Sequence, residues 1–334
     1  MNSSANFRSS SERLSRGVRV MFRTMRPRHD DLMLPEIHYT ASGYEYHVYY
    51  PSGKAIRTLV LVYGMSIAGE NDGRLLKFAR ACASAGLKVI IPHLPGLMDY
   101  RFARNDLQRL IDITRLLAQN GREKIGLIGF STGGSYSMLL AKHPALRERI
   151  GPVVLFSPIY DARDVAARLH APPDPLPQTP KAWDHFYWTQ YFIAYRNRKF
   201  LKLSEAVQSA LQTLLIDWED YTQDVKRVFY NKHILPLQLF GRTDLLDEGE
   251  ALEQLSARGQ LASVKSPVFI LHDAADQIVP PNHSRQMYAE LALRGPEFHQ
   301  EILVTPWLSH VMLQNTGSLS ELTKIVSFTA ELFR

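Results

Sequence analysis

Ser131 stands in the run Lys124-Ile125-Gly126-Leu127-Ile128-Gly129-Phe130-Ser131-Thr132-Gly133-Gly134, where a short apolar segment ends in two glycines that flank the serine at equal distance. An alcohol is a poor nucleophile at neutral pH. A serine that attacks a carbonyl carbon needs a base to take its proton, a group that orients the base, and donors for the oxyanion that develops. The Gly-x-Ser-x-Gly spacing lets a strand turn sharply into a helix with the serine at the apex. The residues two before and two after it crowd each other and the neighbouring strand, and here both places are held by glycine, Gly129 and Gly133. The helix expected to start just beyond would aim its N-terminal amides at the site, favouring negative charge on a bound oxygen.

These residues need elements to position them, and the chain alternates short β-rich runs with helical stretches. Ile37 to Thr40 and Tyr44 to Tyr50, separated by Ser42-Gly43, predict an antiparallel hairpin at one sheet edge. Thr58 to Tyr63, Lys88 to Ile91, Lys124 to Ile128, Pro152 to Phe156, Pro267 to Leu271 and Gln300 to Val304 are short, apolar and bounded by Gly, Pro or Asp, as strands covered on both faces are. Helical patterns fall at Arg74 to Ala85, Arg104 to Gln119, Gly133 to Lys142, His283 to Leu293 and Ser318 to Leu332. The pattern predicts an α/β fold, a mostly parallel central sheet with helices on both faces. It is interrupted at 160–263, which opens with the Pro-rich stretch Ala171 to Pro180 and reads as a helical lid or cap over the sheet's carboxyl edge. The expected organisation is an N-terminal arm at 1–30, a core in two parts at 31–159 and 264–334, and this insertion between them. Residues 181–230 carry twelve of the 34 aromatic residues of the chain, so the insertion has either an aromatic core of its own or an aromatic-lined pocket.

With strand, elbow, helix and late strands in this order, the chain resembles the α/β-hydrolase superfamily over roughly residues 44–160 and 264–334, with the insertion where that family commonly carries its lid. The resemblance implies a catalytic histidine in the loop after the last strand, where His310 stands in Trp307-Leu308-Ser309-His310-Val311. His272, His283 and His299 are expected to be packing or surface residues. For the orienting acid it points to Asp276, followed by a short turn and Val279-Pro280; Asp273 and Asp161 are the competitors. The oxyanion would be bound by the backbone amide of Thr132 and by an amide from the loop after the Thr58 to Tyr63 strand, where Met65 follows Gly64. The family usually has His-Gly at this point. Tyr63 departs from it, which leaves a backbone donor intact but argues against members with a longer glycine run. A serine at 131 also separates the chain from haloalkane dehalogenases and epoxide hydrolases, whose nucleophile is a carboxylate, and leaves acyl transfer through an acyl-serine.

The expected function is therefore a serine hydrolase, carboxylesterase or lipase in type, that cleaves a small-molecule ester with an apolar acyl or alcohol group. Thioester, peptide or C–C cleavage, acyl transfer and a non-catalytic binding role remain alternatives, because fold and triad alone do not separate them. No phosphate-binding glycine loop, metal-ligand spacing or dinucleotide fingerprint occurs, so no cofactor and no metal are expected. One cysteine, Cys82, excludes an intrachain disulfide and sits among alanines as a packing residue would.

The net charge of +6 lies entirely in the first 28 residues, where seven arginines face one acid. The rest of the chain balances, so no nucleic-acid partner is expected. At 100° per residue Leu14, Val18, Met21, Phe22 and Met25 fall on one side of a helix and Arg13, Arg16, Arg19, Arg23 and Arg26 on the other. Residues 8–28 could thus touch an anionic membrane from the side, act as a mitochondrial transit peptide in a eukaryotic source, or be a frayed, solvated tail or a helix packed on the domain. With no apolar run near the roughly 18 residues that a span requires, a cytoplasmic protein, peripheral to a membrane at most, is expected.

Overall fold

In the computed structural model, which describes residues 3–25, 33–121, 123–172, 177–242, 245, 249–313 and 318–333, eight strands make one sheet. They are β1 (Glu36–Tyr39), β2 (Glu45–Tyr49), β3 (Arg57–Val62), β4 (Leu87–Pro92), β5 (Ile125–Phe130), β6 (Ile150–Phe156), β7 (Val268–Asp273) and β8 (Gln300–Thr305). Their spatial order is β1-β2-β4-β3-β5-β6-β7-β8. The β1–β2 hairpin joins antiparallel at one edge, and β4 through β8 with β3 run parallel. Each corresponds to a run expected from sequence. The central strands are buried along their length because helices cover both faces, which is why they read as unbroken apolar runs.

The covering helices include α1 (Ser3–Met25), α2 (Gly73–Ser84), α3 (Pro95–Met98), α4 (Arg104–Asn120) and α5 (Thr132–Lys142). Cys82 on α2 is fully buried, and burial raises its thiol pKa, as suits a packing residue. In α1, Val20 and Met21 are buried in the main core. Gly17 passes so close to the last helix that a Cβ there would lie 2.8 Å from the Val326 carbonyl oxygen. Arg16 donates to the Ala85 carbonyl at 2.6 Å and to Glu12 at 2.7 Å. The side chains of Arg8, Phe22 and Met25, and Arg26 and Arg28 altogether, lie outside the described residues. No helix among the described residues is long and apolar enough to cross a membrane.

Between β6 and β7 the chain forms α6 (Ala162–His170), α7 (Pro180–Arg196), α8 (Glu205–Ile216), α9 (Gln223–Phe229) and α10 (Gly249–Gln254); part of the Pro-rich stretch, 173–176, lies outside the described residues. The segment divides in two. Val165 and Ala166 of α6 and Leu252 of α10 belong to the main core, and α6 is tied beyond α10 by the Ala162 N–H, which donates to Ser256 Oγ at 2.8 Å. The helices α7 to α9 have a core of their own, built on Tyr187, Tyr191, Phe192, Tyr195, Trp218 and Tyr230. Most aromatics of the insertion are thus spent on holding it together, and Ile67 and Tyr100 of the main body dock into the same cluster. After β7 come α11 (Asn282–Ala292), a two-residue hairpin of β9 (Leu308–Ser309) and β10 (Met312–Leu313) that the sequence did not announce, and α12 (Leu319–Ala330), opened by a Ser318/Glu321 capping box.

Candidate active site

β5 ends at Phe130 and α5 begins at Thr132, leaving Ser131 alone to make the turn, with φ 50° and ψ −118°. Such a backbone costs of order 1–3 kcal/mol and persists only where its surroundings enforce it. Here they do. The Ser131 N–H donates to Phe156 O at 2.8 Å, and its carbonyl accepts from Gly134 and Ile159. A Cβ on Gly133 would run into the Val62 and Tyr63 carbonyls, and one on Gly129 would lie 2.6 Å from Gly133 O. Only glycine lets the helix lie this close across the strands.

The loop leaving β3 passes directly over the elbow, since a Cβ on Gly64 would be 3.1 Å from Ser131 Cβ. Among the described residues, neither the Met65 nor the Thr132 N–H donates to a backbone carbonyl. Both are therefore available to a bound oxygen. The unusual Tyr63 is built into a buried scaffold behind this loop: its hydroxyl accepts from the Leu94 N–H at 2.8 Å and donates to Glu70 at 3.3 Å. Burial, with Glu70 beside it, pushes the Tyr63 pKa well up, so the hydroxyl stays neutral.

His310 occupies the turn between β9 and β10 with φ 53°. Its Nδ1 lies 2.6 Å from Asp276 Oδ2. The other oxygen of Asp276 accepts the Ile278 and Val279 N–H groups, both at 2.9 Å. Burial alone would raise the pKa of this fully covered carboxyl, but the His310 ring, the Val279 amide and nearby His272 outweigh it and hold it at about 2. Ionised Asp276 fixes the Nδ1–H tautomer of His310 and leaves Nε2 as the acceptor.

Asp273, the competitor at the end of β7, has a different place. Its Oδ2 accepts the His310 backbone N–H at 2.9 Å, while Ser157 Oγ donates to the His310 carbonyl at 2.6 Å. Ser157 follows Phe156, the residue that receives the Ser131 N–H, so the last residue of β6 and the one after it tie down the elbow on one side and the His310 turn on the other. Ser157 is a contact that sequence reading missed. A serine after an apolar strand carries no periodic signal.

His272, expected to be a packing residue, is buried against Asp276. Its Nε2 donates to Val279 O at 2.7 Å and lies 3.5 Å from Asp276 Oδ2, while Nδ1 is 2.6 Å from Ser284 Oγ. Burial lowers its pKa to about 4, and it stays neutral. Asp161 caps α6 and pairs with Arg258 at 2.7 Å, His283 pairs with Asp164 at 3.0 Å, and exposed His299 meets Glu301 at 2.8 Å. These three do not join the group around His310. His185 on α7 was not singled out by sequence, and it lies near enough to feel the charges of Asp276 and His310, although burial is the main reason its pKa falls. The insertion therefore brings a buried imidazole near the Asp276–His310 pair. The open cleft of about 520 Å³ lined by Trp183, Phe186, Tyr187 and Tyr230 lies within the insertion itself, and none of Ser131, Asp276 or His310 lines it.

A mostly parallel sheet with a strained serine at the end of β5, an acid after β7 and a histidine after β8 defines the α/β-hydrolase class. A family model described as alpha/beta hydrolase fold matches residues 58–306, and the chain belongs to that family. Among solved structures it is similar to Candida antarctica lipase A in its closed state, with a TM-score of 0.51 and 18% identity over 83% of this chain and 72% of that one. It is also similar to Est1E from Butyrivibrio proteoclasticus, with a TM-score of 0.49 and 13% identity over 90% and 98%. Against the acylaminoacyl peptidase of Pyrococcus horikoshii the TM-score is 0.45 and the identity 15%; 81% of this chain is matched, but it spans only 37% of that chain. No curated protein sequence matches it.

Proposed function

We propose that this protein is a serine hydrolase that cleaves a carboxylic ester through an acyl-enzyme, with Ser131 as nucleophile, His310 as general base and acid, and Asp276 as the orienting acid. The observation that carries the reading is the strained Ser131 backbone at the same sheet edge as the 2.6 Å Asp276–His310 pair. In the first step Ser131 Oγ attacks the ester carbonyl as its proton passes to His310 Nε2. The tetrahedral oxyanion forms between the Met65 and Thr132 amides, at the N-terminus of α5, where fixed donors are worth several kcal/mol. His310 then protonates the departing alcohol. In the second half a water, deprotonated by His310, attacks the acyl-serine and frees Ser131.

An apolar acyl or alcohol group suits the surroundings, because the Met65 side chain packs against the aromatic cluster of α7 to α9 beside the proposed oxyanion site. The test is labelling by a fluorophosphonate probe together with turnover of a p-nitrophenyl ester series of rising acyl length. Both should disappear in Ser131→Ala. Full ester turnover by that variant would overturn the reading, and labelling without turnover of any ester would redirect it to another acyl group.

A further inference from the structure

We propose that Glu45, His47 and Glu70 form a binding site for a divalent cation of the zinc type, one that accepts imidazole and carboxylate together. The three residues are remote in sequence terms from any metal motif, and the fold gathers them. Glu45 and His47 are two apart on β2 and so share a face of the sheet. Glu70 lies in the 3-10 turn Gly69–Asn71, in the loop that follows β3. One ligating atom from each falls within 4.8 Å of the others.

Geometry and chemistry both suit an ion. In a tetrahedral site with bonds of about 2.1 Å, neighbouring ligand atoms stand roughly 3.4 Å apart. His47 Nε2 already lies 3.4 Å from Glu45 Oε1, and the remaining separations, within 4.8 Å, need to shorten by at most about 1.4 Å, which side-chain torsions of two glutamates can supply. His47 is 4% exposed and turns Nε2 towards Glu45, while its other ring nitrogen, Nδ1, is buried without a hydrogen-bond partner among the described residues. A neutral imidazole that turns one ring nitrogen towards two carboxylates offers a cation a lone pair there. Glu45 also accepts from Tyr39 Oη at 3.2 Å, and Glu70 from Tyr63 Oη and from His93 Nδ1 at 2.9 Å. Both Glu45 and His93 are part-exposed, which leaves the ion a way in from solvent.

Glu70 is the hydrogen-bond partner of Tyr63, one residue before Gly64 and Met65. An ion held here would therefore clamp β2, next to the edge strand, to the loop carrying the proposed oxyanion amide. The departure at Tyr63 makes sense in that role, because a histidine there could not reach Glu70 and Leu94 in the same way.

The experiment is equilibrium dialysis of the EDTA-treated full chain against Zn²⁺ at pH 7.5, with metal counted by elemental analysis and Tm read with and without the ion. We expect one Zn²⁺ per chain, Tm higher by several degrees at about a hundredfold excess over Kd, and weaker binding of Mg²⁺. Glu45→Gln, at a part-exposed position, should keep the metal-free Tm and lose at least tenfold in affinity; His47→Gln should lose the stoichiometric ion altogether. Absence of stoichiometric binding in the wild type, or binding unchanged in both variants, would overturn the proposal.

Discussion

Asp273 holds His310 by its backbone, accepting the His310 N–H at 2.9 Å, while Asp276 three residues later holds the same histidine by its ring at 2.6 Å. Two carboxylates thus divide the work of one. Because His310 sits at φ 53°, its ring direction depends on a backbone that would relax if released.

Asp273→Ala should therefore act on the chemical step and little on substrate affinity. We expect kcat for a p-nitrophenyl ester to fall about 10- to 100-fold, and the protein to lose roughly 1.5–3 kcal/mol of stability as the charge-assisted bond goes. Asp273→Asn keeps one acceptor oxygen for the two N–H groups, of His310 and Ala275, that the carboxylate serves, and should recover part of both effects. Steady-state kinetics and urea titration measure the two effects, and an unchanged kcat in Asp273→Ala would show that the turn holds itself.

Asp276→Asn should behave differently. An amide at this place can donate to Nδ1 and so favour the wrong tautomer, which in a serine triad costs about 10⁴ in kcat with KM nearly constant. The expected loss exceeds that of Asp273→Ala by two orders of magnitude or more. Equal losses would mean that the two acids are not separated as the hydrogen bonds place them.

The contrast shows what the chain makes legible. The inner strands β3 to β7 could be read because burial on both faces turns each into a short apolar run, whereas largely exposed β1 was legible through the Ser42-Gly43 turn that joins it to β2. The Ser131 elbow could be read because close approach at Gly129 and Gly133 admits one residue type. Asp276 and His310 were reached through resemblance, and no local pattern marks them. Ser157, the backbone role of Asp273, and the meeting of Glu45 and His47 with Glu70 depend on which strands become neighbours, information that lies between segments and in none of them. The aromatic-rich insertion was located, but only packing shows that most of its rings face one another.

The pH dependence of stability follows from His272. Buried between Val279 O and Ser284 Oγ, it has a pKa near 4, against an ordinary value of 6.5. Between these values the unfolded chain binds a proton that the native state refuses, so stability falls as pH drops from 6.5 to 4, by up to roughly 3 kcal/mol. His283, whose pKa burial also lowers, acts in the same direction. Asp276 has the opposite charge but the same sign of effect. Held at about 2, it contributes stability above the ordinary carboxylate range that is lost as pH falls towards 2. Urea unfolding at pH 7 and pH 4.5 should show the first loss, and His272→Gln, which keeps a donor for Val279, should flatten it. A slope identical in variant and wild type would assign the loss elsewhere.

Gly133→Ala should be more damaging than any single loss of a triad side chain is to stability. Its Cβ would meet the Val62 and Tyr63 carbonyls, which are backbone atoms at the end of a central strand and cannot turn aside. We expect a loss of more than about 3 kcal/mol, or no soluble protein. Gly53→Ala, with nothing within 4 Å of the added methyl, is the matched control and should leave Tm where it was.

The N-terminal helix provides the last test, because its two faces are used differently. Val20 and Met21 lie in the main core and Gly17 lies against α12, whereas Arg19 is exposed. Burying two such side chains is worth roughly 3–6 kcal/mol before the entropy of ordering the helix is subtracted. Removing residues 1–30 should therefore lower Tm by several degrees, and Gly17→Leu, which forces α1 off α12, should reproduce much of that loss. With part of the apolar stripe spent inside, contact with an anionic membrane would fall to the arginine face and be electrostatic. Binding of the full chain to phosphatidylserine vesicles should then appear at low ionic strength and vanish near 0.5 M salt, where the screening length is about 4 Å. Vesicle binding that survives high salt would show that the helix leaves the core to insert, and a Tm unchanged by the deletion would show that it was never held there.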